Sequence, residues 1–235
     1  MVGIWLRSAL PEHHISDQSK DSVKVAVGLI ATMAALVLGL VTASAKSSFD
    51  ELNTAVKQTS AAILTLDRTL ARYGPEAKPI RDGLKHAVGQ RLELTWPKDA
   101  SRPANLDLVE TGQGGEALAD AIRALVSRDD EQRRLQSRAI DQAEALLQAR
   151  WVVVGAMSSS VPVAFLSVLV FWLTIIFSSF GLFAPRNATV VGALLVCALS
   201  VAGAIFLILE MDSPFDGVIR ISPDPMRYAY SRINQ

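Results

Sequence analysis

Residues 23–45 read VKVAVGLIATMAALVLGLVTASA and run directly into residues 46–73, KSSFDELNTAVKQTSAAILTLDRTLARY. The first stretch carries one charge, Lys24 at its edge, and at about 1.5 Å per residue it crosses the roughly 30 Å of a bilayer's hydrocarbon. A secretory signal peptide would have a shorter apolar core followed by a small-residue cleavage site. Here the apolar run continues without a break into a polar segment. In that segment Leu52, Val56, Thr59, Ile63, Leu66, Leu70 and Tyr73 alternate steps of four and three, the spacing of a heptad seam. The pattern predicts one helix over residues 22–73, with its first part in lipid and its second part a seam for other helices. Gly74 and Pro75 end it, glycine as a left-handed cap and proline as a residue that cannot continue the helix.

Two further stretches, residues 163–184 (VAFLSVLVFWLTIIFSSFGLFA) and 188–209 (ATVVGALLVCALSVAGAIFLIL), contain no charge and are long enough to span. The short link Pro185-Arg186-Asn187 makes them an antiparallel hairpin. Half of all residues are hydrophobic and a fifth are charged, with most of the charge between residues 46 and 150. The fold class is therefore all-α: transmembrane helices, the first of which extends into a cytosolic helical bundle. The predicted divisions are a juxtamembrane segment 1–21, a first span 22–45, a bundle 46–155, a transmembrane hairpin 163–210 and a tail 211–235.

Apolar side chains gain little by leaving lipid for another helix, so helices in membranes approach through small residues. Ala31, Ala35, Gly39 and Ala43 repeat every four residues in the first span and are the expected packing stripe. Ser167, Thr174, Ser178 and Gly181 share a face of the second; Thr189, Ala193, Cys197, Ser200 and Ala204 share one of the third. Hydroxyls serve as interhelical hydrogen-bonding groups or line a water-filled path between several copies, and Ser167, Thr174 and Ser178 are the pore-lining candidates. No span has an ionisable residue near its centre, which argues against a proton-coupled transporter. Cys197 is the only cysteine; it reads as a packing residue and excludes an internal disulfide.

The bundle reads as four amphipathic helices. After the seam comes one through Ile80, Leu84, Val88 and Leu92, ended by Trp96-Pro97, then a loop over residues 98–115. Helices over 116–127 (Leu118, Ile122, Leu125) and from 130 to about 154 (Leu135, Ala139, Ala143, Leu146) lead back to the membrane. Arg128, Arg133, Arg134 and Arg138 read as a solvated face. The loop glycines, Gly112 to Gly115, lack a following Lys-Ser/Thr and form no phosphate cradle. His13 and His14 have no third ligand spaced for a closed metal site. With 23 basic and 23 acidic residues, no overall field exists to gather nucleic acid.

Lys46, Lys57, Arg150, Arg220 and Arg227 flank one side of the spans, and Arg7, Lys20 and Arg186 the other. The positive-inside rule then makes the bundle and the C-terminus cytoplasmic, with the chain in the inner (plasma) membrane as a multi-pass protein.

Directly after the third span, EMDSPFDG (residues 210–217) crowds Glu210, Asp212 and Asp216 at the interface before a Pro-Phe turn. This is similar to bestrophins, whose bacterial members carry a Glu-x-Glu-x-Pro-Phe-Gly stretch beyond the final membrane helix. The whole chain resembles the bacterial bestrophin-like membrane proteins, with LPEHH (10–14), GLIATMAA (28–35), AKSSFD (45–50), YGPEA (73–77) and FGLFAPRN (180–187) as further landmarks. The resemblance implies a homo-oligomeric channel for small anions such as chloride, with cytosolic helical extensions. In animal bestrophins the acidic stretch contributes to a Ca²⁺ clasp, which makes Glu210, Asp212 and Asp216 the residues to consider for a cation. The alternative is a non-conducting membrane-anchored interaction or assembly module. An enzyme is not indicated: no nucleophile has a positioned base and there is no nucleotide loop or other cofactor signature.

The apolar stub of residues 1–6, MVGIWL, is too short to span and reads as the end of a further helix. A fourth, upstream span is the expectation. Mapping the transcript start tests it: a start upstream of Met1 is expected, and translation confirmed to begin at Met1 would remove the idea.

Overall fold

The computed structural model describes residues 17–97, 114–157, 163–183 and 187–235. Among them there are helices and no strands: α1 (Asp17–Tyr73), a 3₁₀ turn (Pro75–Ala77), α2 (Lys78–Thr95), α3 (Gly114–Arg123), α4 (Asp130–Met157), α5 (Val163–Phe183), α6 (Ala188–Asp212) and α7 (Asp224–Arg232). Three of them, α1, α5 and α6, are long and apolar enough to cross a membrane. At 57 residues, α1 is more than twice the roughly 20 that a span requires. The chain divides into two compact units, one holding the described residues within 1–47 and 160–212, the other those within 48–159 and 213–235.

In the first unit Val27 and Ala34 of α1 pack with Leu169 and Ile176 of α5, joined by Ile30, Ala31, Leu38, Trp172 and Leu173. Both pairs are seven residues apart, two turns of helix, so each helix offers one narrow seam. Farther along α1, Val41 and Ala45 meet Ile208 of α6. Hydroxyls within the spans turn back to the carbonyl four residues earlier: Thr32 to Gly28 at 2.9 Å, Thr42 to Leu38 at 2.7 Å, Thr174 to Val170 at 2.8 Å and Ser200 to Val196 at 2.9 Å. Each O–H is thereby satisfied within its own helix, as lipid surroundings require. Asn187 caps α6, its side-chain oxygen accepting the Val190 N–H at 2.8 Å.

The α5 seam within the chain runs beside the small-residue stripe of α1 rather than along it. Ala31 borders the α5 seam, but Ala35, Gly39 and Ala43 are exposed within the chain, and a Cβ built on Gly39 would meet nothing within 4 Å. A four-residue step turns about 40° past a full helical revolution, so a stripe of that period drifts away from a seam of period seven.

The second unit is a helical bundle. All seven seam residues predicted on α1 are buried in it, Leu66 and Leu70 completely. All but Thr59 share one core cluster with Leu84, Val88 and Trp96 of the α2 region, Ala119 and Ile122 of α3, and Ala139 and Ala143 of α4. Each fully buried leucine contributes about 1.5–3 kcal/mol.

Two helix ends differ from expectation for a visible local reason. Gly74 ends α1 at φ 131° and ψ −177°, a region essentially restricted to glycine, rather than in the left-handed helical conformation. The third bundle helix, expected to reach Ser127, stops at Arg123. There the Gln136 side-chain amide donates to the carbonyls of Ile122 and Leu125 at 2.9 and 2.8 Å, capping the helix from α4. Asp129 opens α4, accepting the Gln132 N–H at 2.7 Å. The Gln132 side chain accepts from the Arg128 N–H at 2.8 Å and donates to the Tyr73 carbonyl at 3.0 Å, tying the end of α1 to the start of α4. The residues expected as a tail include α7, whose Met226 and Ala229, with Ile233 beyond it, are buried in the bundle core.

Gly74→Ala is expected to lower stability by about 1–3 kcal/mol, since it strains the backbone and puts a Cβ 2.7 Å from the Glu76 Oε2. Gly83→Ala, inside α2 with open space around it, is expected to raise stability by about 0.5–1 kcal/mol. Thermal unfolding of the detergent-solubilised protein, followed by circular dichroism, reads both.

Candidate functional site

The polar faces of the membrane helices are placed by the seams just described. On α5, Leu169 and Ile176 are buried against α1, and Ser167 and Thr174 lie two residues before each. Two residues are about 200° of helix, so the hydroxyls point away from the seam and are exposed. Ser178 is on the same face and half-buried. On α1 the exposed Ala35, Gly39 and Ala43 likewise lie off the seam, with Thr32 and Gly28 beside them. On α6, Thr189, Ala193, Cys197 and Ser200 are exposed and Ala204 is half-buried. Each helix thus keeps a stripe of small or hydroxyl side chains outside its seams among the described residues.

The acidic Pro-Phe stretch is built around its aromatic residue. Ser213 to Asp216 form a turn closed by the Asp216 N–H on the Ser213 carbonyl at 3.2 Å, with Pro214 in the position where its fixed φ favours the turn. Gly217 follows at φ 83°. The Ile221 N–H donates to the Pro214 carbonyl at 2.8 Å, folding the chain back on itself. Phe215 enters the bundle core and meets Trp96 edge to face, ring centroids 5.5 Å apart. The Trp96 indole N–H donates to the Ile221 carbonyl at 2.9 Å, so one tryptophan at the end of α2 holds both sides of the turn.

Of the three carboxylates, Glu210 is half-buried and Asp212 and Asp216 are exposed. They do not gather into a ligand set: among the described residues no three His, Cys, Asp or Glu side chains come together as a metal would require. His13 and His14 lie outside the described residues, as do the apolar stub 1–6 and most of the glycine-bearing loop. Arg133, Arg134 and Arg138 of α4 are exposed, as is Arg128 just before it; Arg128 pairs with Glu76 at 2.8 Å and Arg133 with Asp130 at 2.6 Å.

A buried ionic contact was not anticipated. Asp67, only 4% exposed, accepts two hydrogen bonds from Arg81, 2.7 Å from Nε and 3.0 Å from Nη2. Its second oxygen also takes the Asn234 backbone N–H at 3.4 Å, and the Asn234 side chain donates to Asp82 at 2.6 Å. Asn234 holds a left-handed φ of 72°, which asparagine tolerates better than most residues. Lys85 reaches the neighbouring Ile233 carbonyl at 3.3 Å. The hydrogen bond to Asp67 raises the Arg81 pKa above its usual value against the opposing effect of burial, with the Asp67 and Asp82 charges adding to it. The sequence carried a signal: Asp67 is a carboxylate set among Ile63, Leu66 and Leu70, on the buried side of the helix.

Removing one member of a buried pair leaves the other uncompensated, so Asp67→Asn is expected to cost about 3–5 kcal/mol. The double variant Asp67→Leu with Arg81→Met is expected to recover most of it; thermal unfolding of the two variants checks the difference.

A family profile described as the Bestrophin-like domain matches residues 1–226. No curated protein matches the chain. Among solved structures, a point mutant of a bacterial bestrophin homolog from Klebsiella pneumoniae superposes with a TM-score of 0.68 at 14% identity, covering 98% of this chain and 94% of that one. A second point mutant of the same homolog gives 0.66 at 14% identity, covering 89% of this chain and 85% of that one. A structure described as a membrane protein gives 0.65 at 15% identity, covering 99% and 98% of the two chains. At such identities the likeness is one of fold. The profile, which spans nearly the whole chain, places this protein in the Bestrophin-like family.

Proposed function

We propose that the protein is an oligomeric channel for small anions in the bacterial inner membrane, with its bundle and C-terminus on the cytoplasmic side. The observation that carries this reading is the placement of Ser167 and Thr174 on the face of α5 opposite its seam with α1. A hydroxyl stripe left largely exposed among the described residues is suited to lining water shared by several copies. The small residues on the open face of α1, Ala35, Gly39 and Ala43, suit close approach by a second copy. Membership of the Bestrophin-like family and the fold shared with a bacterial bestrophin homolog support the same reading. Glu210 lies in the last turn of α6, and in this reading its charge acts on ions near the membrane interface.

A second reading, an anchored module that docks a partner, is favoured by one feature of the bundle. An open groove of about 390 Å³ lies between α2 and α3, lined mainly by apolar residues including Ile80, Leu84, Ala87, Ala117 and Leu118.

Purified protein reconstituted in planar bilayers is expected to pass chloride, bicarbonate or nitrate current. Replacing both Ser167 and Thr174 by valine is expected to reduce unitary conductance at least twofold while assembly stays intact, and Glu210→Lys to alter relative anion permeability. Absence of current with all three anions from a well-folded oligomer would sink the channel reading. Electron-microscope images of the solubilised particle supply the second check, since a channel requires a ring of copies around a central hole.

A further inference from the structure

Trp172 is the tenth of the 21 residues of α5, so its indole stands at the middle of a span. Tryptophan ordinarily sits near the ends of a span, where its N–H meets water. In the bundle, Trp96 gives its N–H to the Ile221 carbonyl at 2.9 Å. Trp172 is half-buried beside the α1 seam, and its N–H has no acceptor among the described residues. Nor is the nitrogen sealed inside the chain. A donor left without an acceptor in hydrocarbon is costly, and water does not supply one at that depth. Trp172 also precedes Thr174 by two residues, about 200° of helix, so it does not share the face assigned above to the ion path. A second copy of the chain remains as the source of the acceptor.

In a ring of copies about an axis along the membrane normal, each residue keeps its depth in every copy. Counted from the link between α5 and α6, Trp172 lies 11 residues before Phe183, and Ser200 lies 12 residues after Ala188. At 1.5 Å per residue these are depths of about 17 and about 18 Å. Ser200 is exposed, and its hydroxyl donates to the Val196 carbonyl at 2.9 Å, which leaves the oxygen's lone pairs to accept. Its neighbours one turn away, Cys197, Gly203 and Ala204, are small, and a Cβ built on Gly203 would meet nothing within 4 Å. They leave a shallow seat on α6 that suits a broad ring. Two other exposed hydroxyls stand near mid-span. Thr174 belongs to the stripe assigned to the ion path, and Thr32 of α1 is crowded by the exposed Leu29 and Leu36 one turn to either side.

We propose that the Trp172 indole N–H donates to the Ser200 hydroxyl oxygen of a neighbouring copy, so that α5 of one subunit packs on the small-residue face of α6 of the next. Donor and acceptor lie on different helices, so the contact is head-to-tail and repeats around a closed ring. This rests on the oligomeric part of the reading above and is independent of whether ions pass.

The test follows subunit exchange between donor- and acceptor-labelled full-length protein in detergent micelles, read by resonance energy transfer. Trp172→Phe keeps a ring and removes the N–H, Ser200→Ala removes the acceptor, and Thr32→Val is the control; circular dichroism verifies that each is folded. Trp172→Phe and Ser200→Ala are each expected to speed exchange about threefold, the double variant to be no faster than either, and Thr32→Val to match wild type. Single variants that exchange like wild type, or effects that multiply in full in the double variant, overturn the proposal and leave the oligomer in place. So does a Thr32→Val variant that speeds exchange and couples with Trp172→Phe. A second readout needs no change in stability: Trp172→Cys and Ser200→Cys are placed in separate pools, both with Cys197→Ala, and assembled together. A short bis-maleimide is expected to link the two pools into pairs that neither pool forms alone, and the lack of such pairs overturns the contact. A wild-type protein that stays monomeric overturns both this proposal and the oligomeric reading.

Discussion

A helix in hydrocarbon must satisfy its backbone hydrogen bonds internally, and α1 meets that requirement by continuing as a helix well past the length of a span. The same regular backbone then serves two solvents. In the first unit it offers Val27 and Ala34 to one neighbouring helix and Val41 and Ala45 to another. In the second it buries seven seam residues in a bundle. What changes along the helix is the physical reason for burial, and much of the remaining architecture follows from that change.

In water, burial of Leu66, Leu70 and Ile122 is itself a driving force, so the second unit buries a broad apolar core, into which the Asp67–Arg81 pair is the charged exception among the described residues. In lipid that force is absent. The contacts of the first unit are accordingly narrow seams, and large side chains such as Leu36, Leu40, Phe171 and Leu199 remain exposed without penalty. Such exposed leucines and phenylalanines would be a liability on a soluble protein. Here they are ordinary lipid-facing surface, and attention passes to the hydroxyl and small residues among them.

Polar groups in the bundle act mainly as joints. Gln132 and Gln136 on α4 cap or bridge the ends of α1 and α3, Trp96 pins the Pro-Phe turn, and Asp67 with Arg81 receives the chain at Asn234. Each joins segments distant in sequence, and several hold the residues after α6 against the bundle. The acidic Pro-Phe stretch is anchored by its phenylalanine, which fills the bundle core.

The sequence by itself determined the three spans, the continuous first helix and its seam. Those features depend on local periodicity and on the length of apolar runs, which one segment displays without reference to any other. It also marked Phe215 and the hydroxyls of α5, though not their directions. Tertiary structure alone decided that Ala35, Gly39 and Ala43 lie off the seam within the chain, that the third bundle helix stops at Arg123, and that the last residues form a packed helix rather than a tail. The reason is common to all three: each outcome is set by a partner remote in the chain, namely the register of α5, the amide of Gln136, and the core residues that accept Met226, Ala229 and Ile233. Periodicity says which face of a helix seeks burial; only packing says which neighbour covers it and where a side chain from elsewhere ends it.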